Sequence, residues 1–230
     1  KTIASKAAHR IINQVTNYDF IHLDIEDVIK AKSFVNKDTL KLINEELLKT
    51  TNGLKSFTDE FKRYGKPLTL NKEAADITEL ISQEVKQAER RVPSDRIKII
   101  KWFPPLVPAA QLDKAKISEA IKELLRNAEK AIQKSSRKAG TITITVVGPD
   151  NQRPGLNSGS RLIKVIVTDT GPGFPENARF FEPFTSTDPN STGLGLSTVK
   201  ELIDAHDGKV SARNLPEGGA EIVFELPLAE

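Results

Sequence analysis

The sequence predicts an α+β fold, with an N-terminal two-helix hairpin followed by a sandwich of helices packed on a β-sheet. Three observations predict it. Apolar residues recur at heptad spacing from the start of the chain to about Tyr64. Gly65 and Pro67 then end that pattern. Beyond them, short β-rich runs alternate with amphipathic helical stretches, the signature of helices on a sheet.

The first helix is expected over residues 2–30. Ala4, Ala8, Ile11, Val15, Tyr18, His22, Ile25 and Ile29 step by four and three, which makes a coiled-coil seam. Residues 31–38 read as a connection, with Asp38 as the N-cap of a second helix. In that helix Leu40, Leu47, Leu54 and Phe61 recur every seven residues, as do Ile43, Thr50, Phe57 and Tyr64. Two antiparallel helices have one seam each to bury. Pairing with a second copy into a four-helix bundle buries more apolar surface, so a homodimer is expected. The helical hairpin is assigned to residues 1–66 and the sandwich to 67–230. Strands are expected at Leu68–Leu70, Ile97–Trp102, Thr141–Val147, Leu162–Thr168 and Ala220–Leu226, and helices near 76–90, 113–134 and 194–206. Gly148–Ser160 is rich in Gly, Pro, Asn and Ser and reads as a hairpin loop.

Composition narrows the function. The 230 residues are 38% hydrophobic and 28% charged, which is ordinary for a globular protein. No apolar run reaches the ~20 residues of a membrane span, so a soluble piece is expected, with any membrane part outside it; the lack of cysteine is compatible with the expected cytoplasmic location. Without cysteine there is no disulfide, thiolate metal site or cysteine nucleophile. The chain also lacks methionine, even at its start, and reads as a piece of a longer or reworked protein. The net charge of +3 comes from lysines dispersed among acids, so no nucleic-acid role is expected.

Four segments of the sandwich carry candidate chemistry. The helix Lys116–Lys134 sets Ile117, Ala120, Ile121, Leu124, Leu125, Ala128, Ala131 and Ile132 on one face and Glu123, Asn127, Lys130 and Lys134 on the other. A carboxylate and an amide one turn apart suit a hydrated Mg²⁺, and the next lysine suits phosphate; a plain solvated face has the same pattern. Asp169-Thr170-Gly171-Pro172-Gly173-Phe174 follows a strand, where a carboxylate can accept a hydrogen bond from an adenine amino group and glycines admit a close approach. Phe180-Phe181-Glu182-Pro183-Phe184 suits a packing plug or a site. Ser191-Thr192-Gly193-Leu194-Gly195-Leu196-Ser197 opens an apolar-periodic helix whose first N–H groups can cradle phosphate.

In order and spacing, these segments together resemble the N, G1, F and G2 boxes of the ATP-binding domain of sensor histidine kinases, within the superfamily that also holds gyrase-type and mismatch-repair ATPases. The resemblance spans residues 68–228 and is nearest the nitrogen- and oxygen-sensing branch. It implies a Bergerat-type sandwich with a lid at 175–192. It also implies that Asn127 and Glu123 coordinate Mg²⁺, that Lys130 meets phosphate, that Asp169 binds adenine, and that Gly171 and Gly173 line the base pocket. Thr192, Gly193, Leu194 and Gly195 are implied to pack on the phosphates. Some positions depart from the family pattern. Ser191 replaces the first glycine of its box, Asp188 stands where that branch often has lysine, Glu123 replaces asparagine, and the stretch from Gly173 to Phe181 is short.

Of the three histidines, His22 lies on the first helix's seam and His206 ends the helix after the glycine box, as a C-cap. His9 lies one position past the seam residue Ala8, at the flank of the bundle, where an imidazole can be aligned with a γ-phosphate. His9-Arg10-Ile11-Ile12-Asn13-Gln14-Val15-Thr16 resembles the kinase phosphoacceptor box. The resemblance implies that His9 accepts phosphate and that Asn13 orients water for dephosphorylating the partner. Arg10 departs from the family's acidic residue and cannot act as a base. The function implied is ATP-dependent autophosphorylation, then transfer to an aspartate of a response-regulator receiver domain, with a sensor domain outside this chain. Glu123 leaves a gyrase-like ATPase open, with that carboxylate as base. Arg10, Asp188 and Ser191 leave a nucleotide-binding pseudokinase dimer open.

Overall fold

A computed structural model describes residues 37–64, 68–93, 95–136, 139–149, 161–176, 178–185 and 193–229. The expected first helix, with His9, Asn13 and His22, lies outside the described residues, as do Asp188, Ser191 and Thr192. The chain divides into two compact units, one drawn from Lys1–Pro67 and Glu182–Leu194, the other from Leu68–Phe181 and Gly195–Glu230. No described helix is long and apolar enough to cross a membrane.

The first unit contains helix α1, Lys37–Tyr64. Asp38 was expected to precede this helix as its N-cap, but it lies within the first turn. A carboxylate there still faces the positive end of the helix dipole. Thr50 is buried, whereas Leu40, Leu42 and Leu48 are exposed in the single chain.

The second unit runs β1 (Glu73–Ala75), α2 (Ile77–Arg91), β2 (Ile97–Trp102), β3 (Ala110–Leu112), α3 (Lys114–Lys134), β4 (Gly140–Val147), β5 (Leu162–Asp169), α4 (Gly195–Ala205), β6 (Lys209–Asn214) and β7 (Ala220–Pro227). Five strands form one sheet in the order β2-β4-β5-β7-β6. Only β2 and β4 pair in parallel; the other neighbours are antiparallel. The central strands alternate as a half-buried sheet must. Ile142, Ile144 and Val146 of β4, Ile163, Val165 and Val167 of β5, and Ile222, Phe224 and Leu226 of β7 point into the core. The helices supply the opposing apolar stripe, including Ile77, Ile81 and Val85 of α2, Ile117, Ile121, Leu124 and Leu125 of α3, and Val199 and Ile203 of α4.

Two expectations fail here. Leu68–Leu70 is not a strand: it alternates as one but pairs with nothing among the described residues, and pairing begins at Glu73, opposite Leu112. Three strands were also missed. β1 and β3 have three residues each, too few for a pattern, and β6 is a polar edge strand, Lys-Val-Ser-Ala-Arg-Asn.

Asp113 caps α3, accepting from the Lys116 N–H at 3.1 Å and the Asn71 N–H at 2.9 Å. Burial opposes ionisation of its carboxyl. The N–H groups of Asn71, Lys116 and Ala115 outweigh that penalty and hold it below the ordinary aspartate range. His206 is fully buried just past α4. Its Nε2 accepts the Asp113 N–H at 2.9 Å, so Nδ1 carries the proton and donates to Leu202 O at 2.6 Å. The side chain thus closes the end of α4 and braces it to the start of α3.

Candidate nucleotide site

Helix α3 forms one wall of the site. Its buried stripe faces the core, which turns Glu123, Asn127, Lys130 and Lys134 to the other side. Glu123 and Asn127 are half-buried, and both lysines are exposed. Among the described residues, Asn127 and Lys130 make no side-chain hydrogen bond or ion pair. Glu129, on the buried side, is a departure from the apolar pattern. It is balanced by Arg91 of α2 at 3.0 Å.

Asp169 ends β5 and is buried. Its Oδ1 accepts the Gly171 N–H at 2.8 Å. Burial pushes the carboxyl above its ordinary range, and the N–H groups of Gly171 and Ala220 only partly offset this. The glycines that follow are required by what surrounds them. A Cβ on Gly171 would lie 2.8 Å from Asp169 Oδ1 and 2.9 Å from Ala131 Cβ, so this turn seats on α3. Gly173 has φ +77°, a left-handed conformation that side chains resist. Gly219, at φ +92°, brings its Cα against the Asp169 carbonyl, where a Cβ would collide with backbone.

Gly195 opens α4 at the other end of the same wall. A Cβ there would strike Glu123 Oε1, so the helix start and that carboxylate share one small space. The first turn of α4 has no acidic side chain, and an α-helix start leaves N–H groups without intrahelical partners. Glu123 and Ala131 are eight residues apart on α3, about 12 Å along the axis, and Asn127 lies midway.

Among the residues expected at the site, Glu123, Asn127, Lys130, Asp169, Gly171, Gly173 and Gly195 fall in the second unit. Gly171 and Gly195 are both seated on α3. Gly193 and Leu194 fall in the first unit. There Leu194 is buried, Gly193 has φ +69°, and its carbonyl accepts the Phe184 N–H at 2.9 Å. Phe184 itself adopts φ +61°, a costly conformation for a bulky side chain. The aromatic stretch does pack: Phe174 and Phe180 rings lie 4.7 Å apart, and Phe180 and Phe181 rings 6.4 Å.

Sequence reasoning missed Asn214 and the turn 215–219 behind the Asp169 loop. Asn214 accepts the Phe174 N–H at 2.7 Å and donates to Phe174 O at 2.9 Å. Gly218-Gly219 before a strand was a readable turn signal. The contact it makes was not, because it joins residues 40 positions apart.

Comparison with known proteins identifies the family. The model of the histidine kinase-, DNA gyrase B- and HSP90-like ATPase family matches residues 112–230. Nitrogen regulation protein NtrY of Azorhizobium caulinodans is 24% identical over 227 residues, covering 97% of this chain and 28% of the relative. Sensor protein FixL of Bradyrhizobium diazoefficiens is 33% identical over 130 residues, covering 54% of this chain and 24% of the relative. The chain therefore spans roughly a quarter of the length of these relatives. The crystal structure of histidine kinase ThkA in complex with response regulator protein TrrA superposes with a TM-score of 0.75 at 25% identity, covering 99% of this chain and 61% of that one. The seating of both glycine turns on α3 and the match over more than half the chain lead to one statement: the chain belongs to the histidine kinase-, DNA gyrase B- and HSP90-like ATPase family, and its similarity within it is to sensor histidine kinases.

Proposed function

We propose that this chain is the cytoplasmic kinase portion of a sensor histidine kinase, transferring the γ-phosphoryl of ATP to His9. The observation that carries the reading is the wall made by α3. The base-end turn seats on it at Ala131, the helix start that suits phosphate seats on it at Glu123, and Asn127 lies between. Asp169 accepts from the adenine amino group, with Gly171 and Gly173 lining the base. Thr192, Gly193, Leu194 and Gly195 present backbone to the phosphates, and Lys130 adds positive charge.

The oxygens of Glu123 and Asn127, one turn apart, fit Mg²⁺ carried by phosphates, an ion that retains several waters. Among the described residues no three His, Cys, Asp or Glu side chains form a cage of their own. When bound, the ion neutralises phosphate charge; the protein's part is positioning. His9 is the nucleophile, and Asn13 orients water when the partner is dephosphorylated. Exposed Leu40, Leu42 and Leu48 on α1 support homodimerisation through residues 1–66, with residues 67–230 as the ATP-binding domain. A response-regulator receiver domain takes the phosphoryl group. The complex of ThkA with response regulator protein TrrA supports that partner.

Incubation with γ-labelled ATP tests the reading. Acid-labile, alkali-stable label is expected on the protein, absent from His9→Ala and Asn127→Ala and retained by His22→Ala. Label that survives His9→Ala but not His22→Ala would overturn the choice of histidine. The contact of Glu123 with Gly195 favours a second reading, hydrolysis with Glu123 as base. It requires phosphate release without label, lost in Glu123→Gln.

A further inference from the structure

We infer that Asn214 is a positioning residue of the nucleotide site, setting the shape of the base-end loop from behind. The inference rests on the nucleotide reading above and adds a residue that no part of that reading assigns.

The loop after β5 runs from Asp169 to Phe174. Its first end is fixed by the sheet. Thr168 pairs with Glu221, Asp169 Oδ1 takes the Gly171 N–H, and Gly219 lies against the Asp169 carbonyl. Its second end has no strand to hold it. Asn214 does that work: its amide accepts the Phe174 N–H at 2.7 Å and donates to the Phe174 carbonyl at 2.9 Å. Two hydrogen bonds to the backbone of one residue fix orientation as well as distance, much as a strand partner would.

The clamp is itself held rigidly. Asn214 is the last residue of β6, in register with Ala220 of β7. The turn between them is closed by Leu215 N–H to Gly219 O and Gly218 N–H to Leu215 O, both 3.0 Å. The same group explains a glycine in the loop. A Cβ on Gly173 would lie 2.8 Å from Asn214 Oδ1 and 3.1 Å from Gly219 O. The residues between the two fixed ends, Gly171 to Gly173, include the glycines proposed to line the base. Release of the second end would also free Phe174, whose ring packs on the core and lies 4.7 Å from that of Phe180.

The test is titration of the whole chain with Mg-ATP, alongside steady-state kinetics and exchange of the Phe174 amide. Asn214→Ala is expected to weaken ATP binding roughly tenfold and raise KM in proportion, with kcat at saturating ATP within about twofold. Exchange of the Phe174 amide should speed up while β5 and β7 stay protected. Asn214→Asp keeps the acceptor and loses the donor, so it should fall between wild type and Asn214→Ala. It also serves should the alanine variant fold poorly. An Asn214→Ala protein that binds as tightly as wild type, or that loses binding only in proportion to its unfolded fraction, overturns this inference alone. Wild-type protein that takes up no Mg-ATP removes the nucleotide reading and this inference together.

Discussion

The two ends of the α3 wall are built in opposite ways. At the end proposed for the base, glycines meet backbone and short side chains: Gly219 lies against the Asp169 carbonyl and Gly171 against Ala131. At the end proposed for the phosphates, Gly195 meets the tip of the Glu123 side chain, which has three torsions through which to move away. The end proposed for the base is therefore bounded by backbone. The end proposed for the phosphates is bounded by a side chain that can move. A purine is rigid and neutral, so a preformed slot limits the ordering cost of binding it. A metal–phosphate group brings charge that the protein must meet rather than enclose.

The sharpest way to break the contrast is Gly219→Ala. Its Cβ would meet backbone at a positive φ, so a loss of about 3 kcal/mol of stability in the second unit is expected by denaturant unfolding. Gly195→Ala should cost under about 1 kcal/mol by the same measurement, because Glu123 can yield, and should still impair labelling by ATP. Equal losses at the two positions would remove the contrast.

Asp169→Asn probes charge at the base end. It should weaken ATP binding by about 2 kcal/mol, as loss of a charged hydrogen-bond acceptor does. The pH profile carries the sign. Burial holds this carboxyl above its ordinary range, and in the proposed function the ionised form binds the amino group. Affinity should therefore fall as pH drops through the raised value, and Asp169→Asn should lose that limb of the profile.

Asp113→Ala should cost about 1 kcal/mol through loss of the α3 cap. Its folded pKa lies below its ordinary value. Its contribution is therefore present above the ordinary aspartate range and disappears as pH falls through that range to the lowered value. Melting curves of wild type and variant should converge in acid. Away from the wall, Lys200→Ala removes an exposed pair with Asp204 at 2.8 Å and should shift stability by no more than about 0.5 kcal/mol.

What could be read from the sequence follows the range of the forces involved. The helices α2, α3 and α4 and the long strands β4, β5 and β7 carry their own periodicity, and the structure places them within a residue or two of expectation. The polar face of α3 was legible because Glu123, Asn127 and Lys130 repeat at helical spacing. The short strands β1 and β3 exist only because they pair with one another, and Leu68–Leu70 shows that alternation without a partner is not a strand. The clamp of Asn214 on Phe174, and the brace of His206 on Asp113, join chain segments 40 and 93 residues apart. Such contacts leave no local pattern to read.

Calorimetry of the folded chain with Mg-ATP tests the central claim most directly. The account predicts saturable heat at one nucleotide per chain, greatly reduced in Asn127→Ala and in Asp169→Asn. Folded wild-type protein that gives no heat above dilution would contradict it.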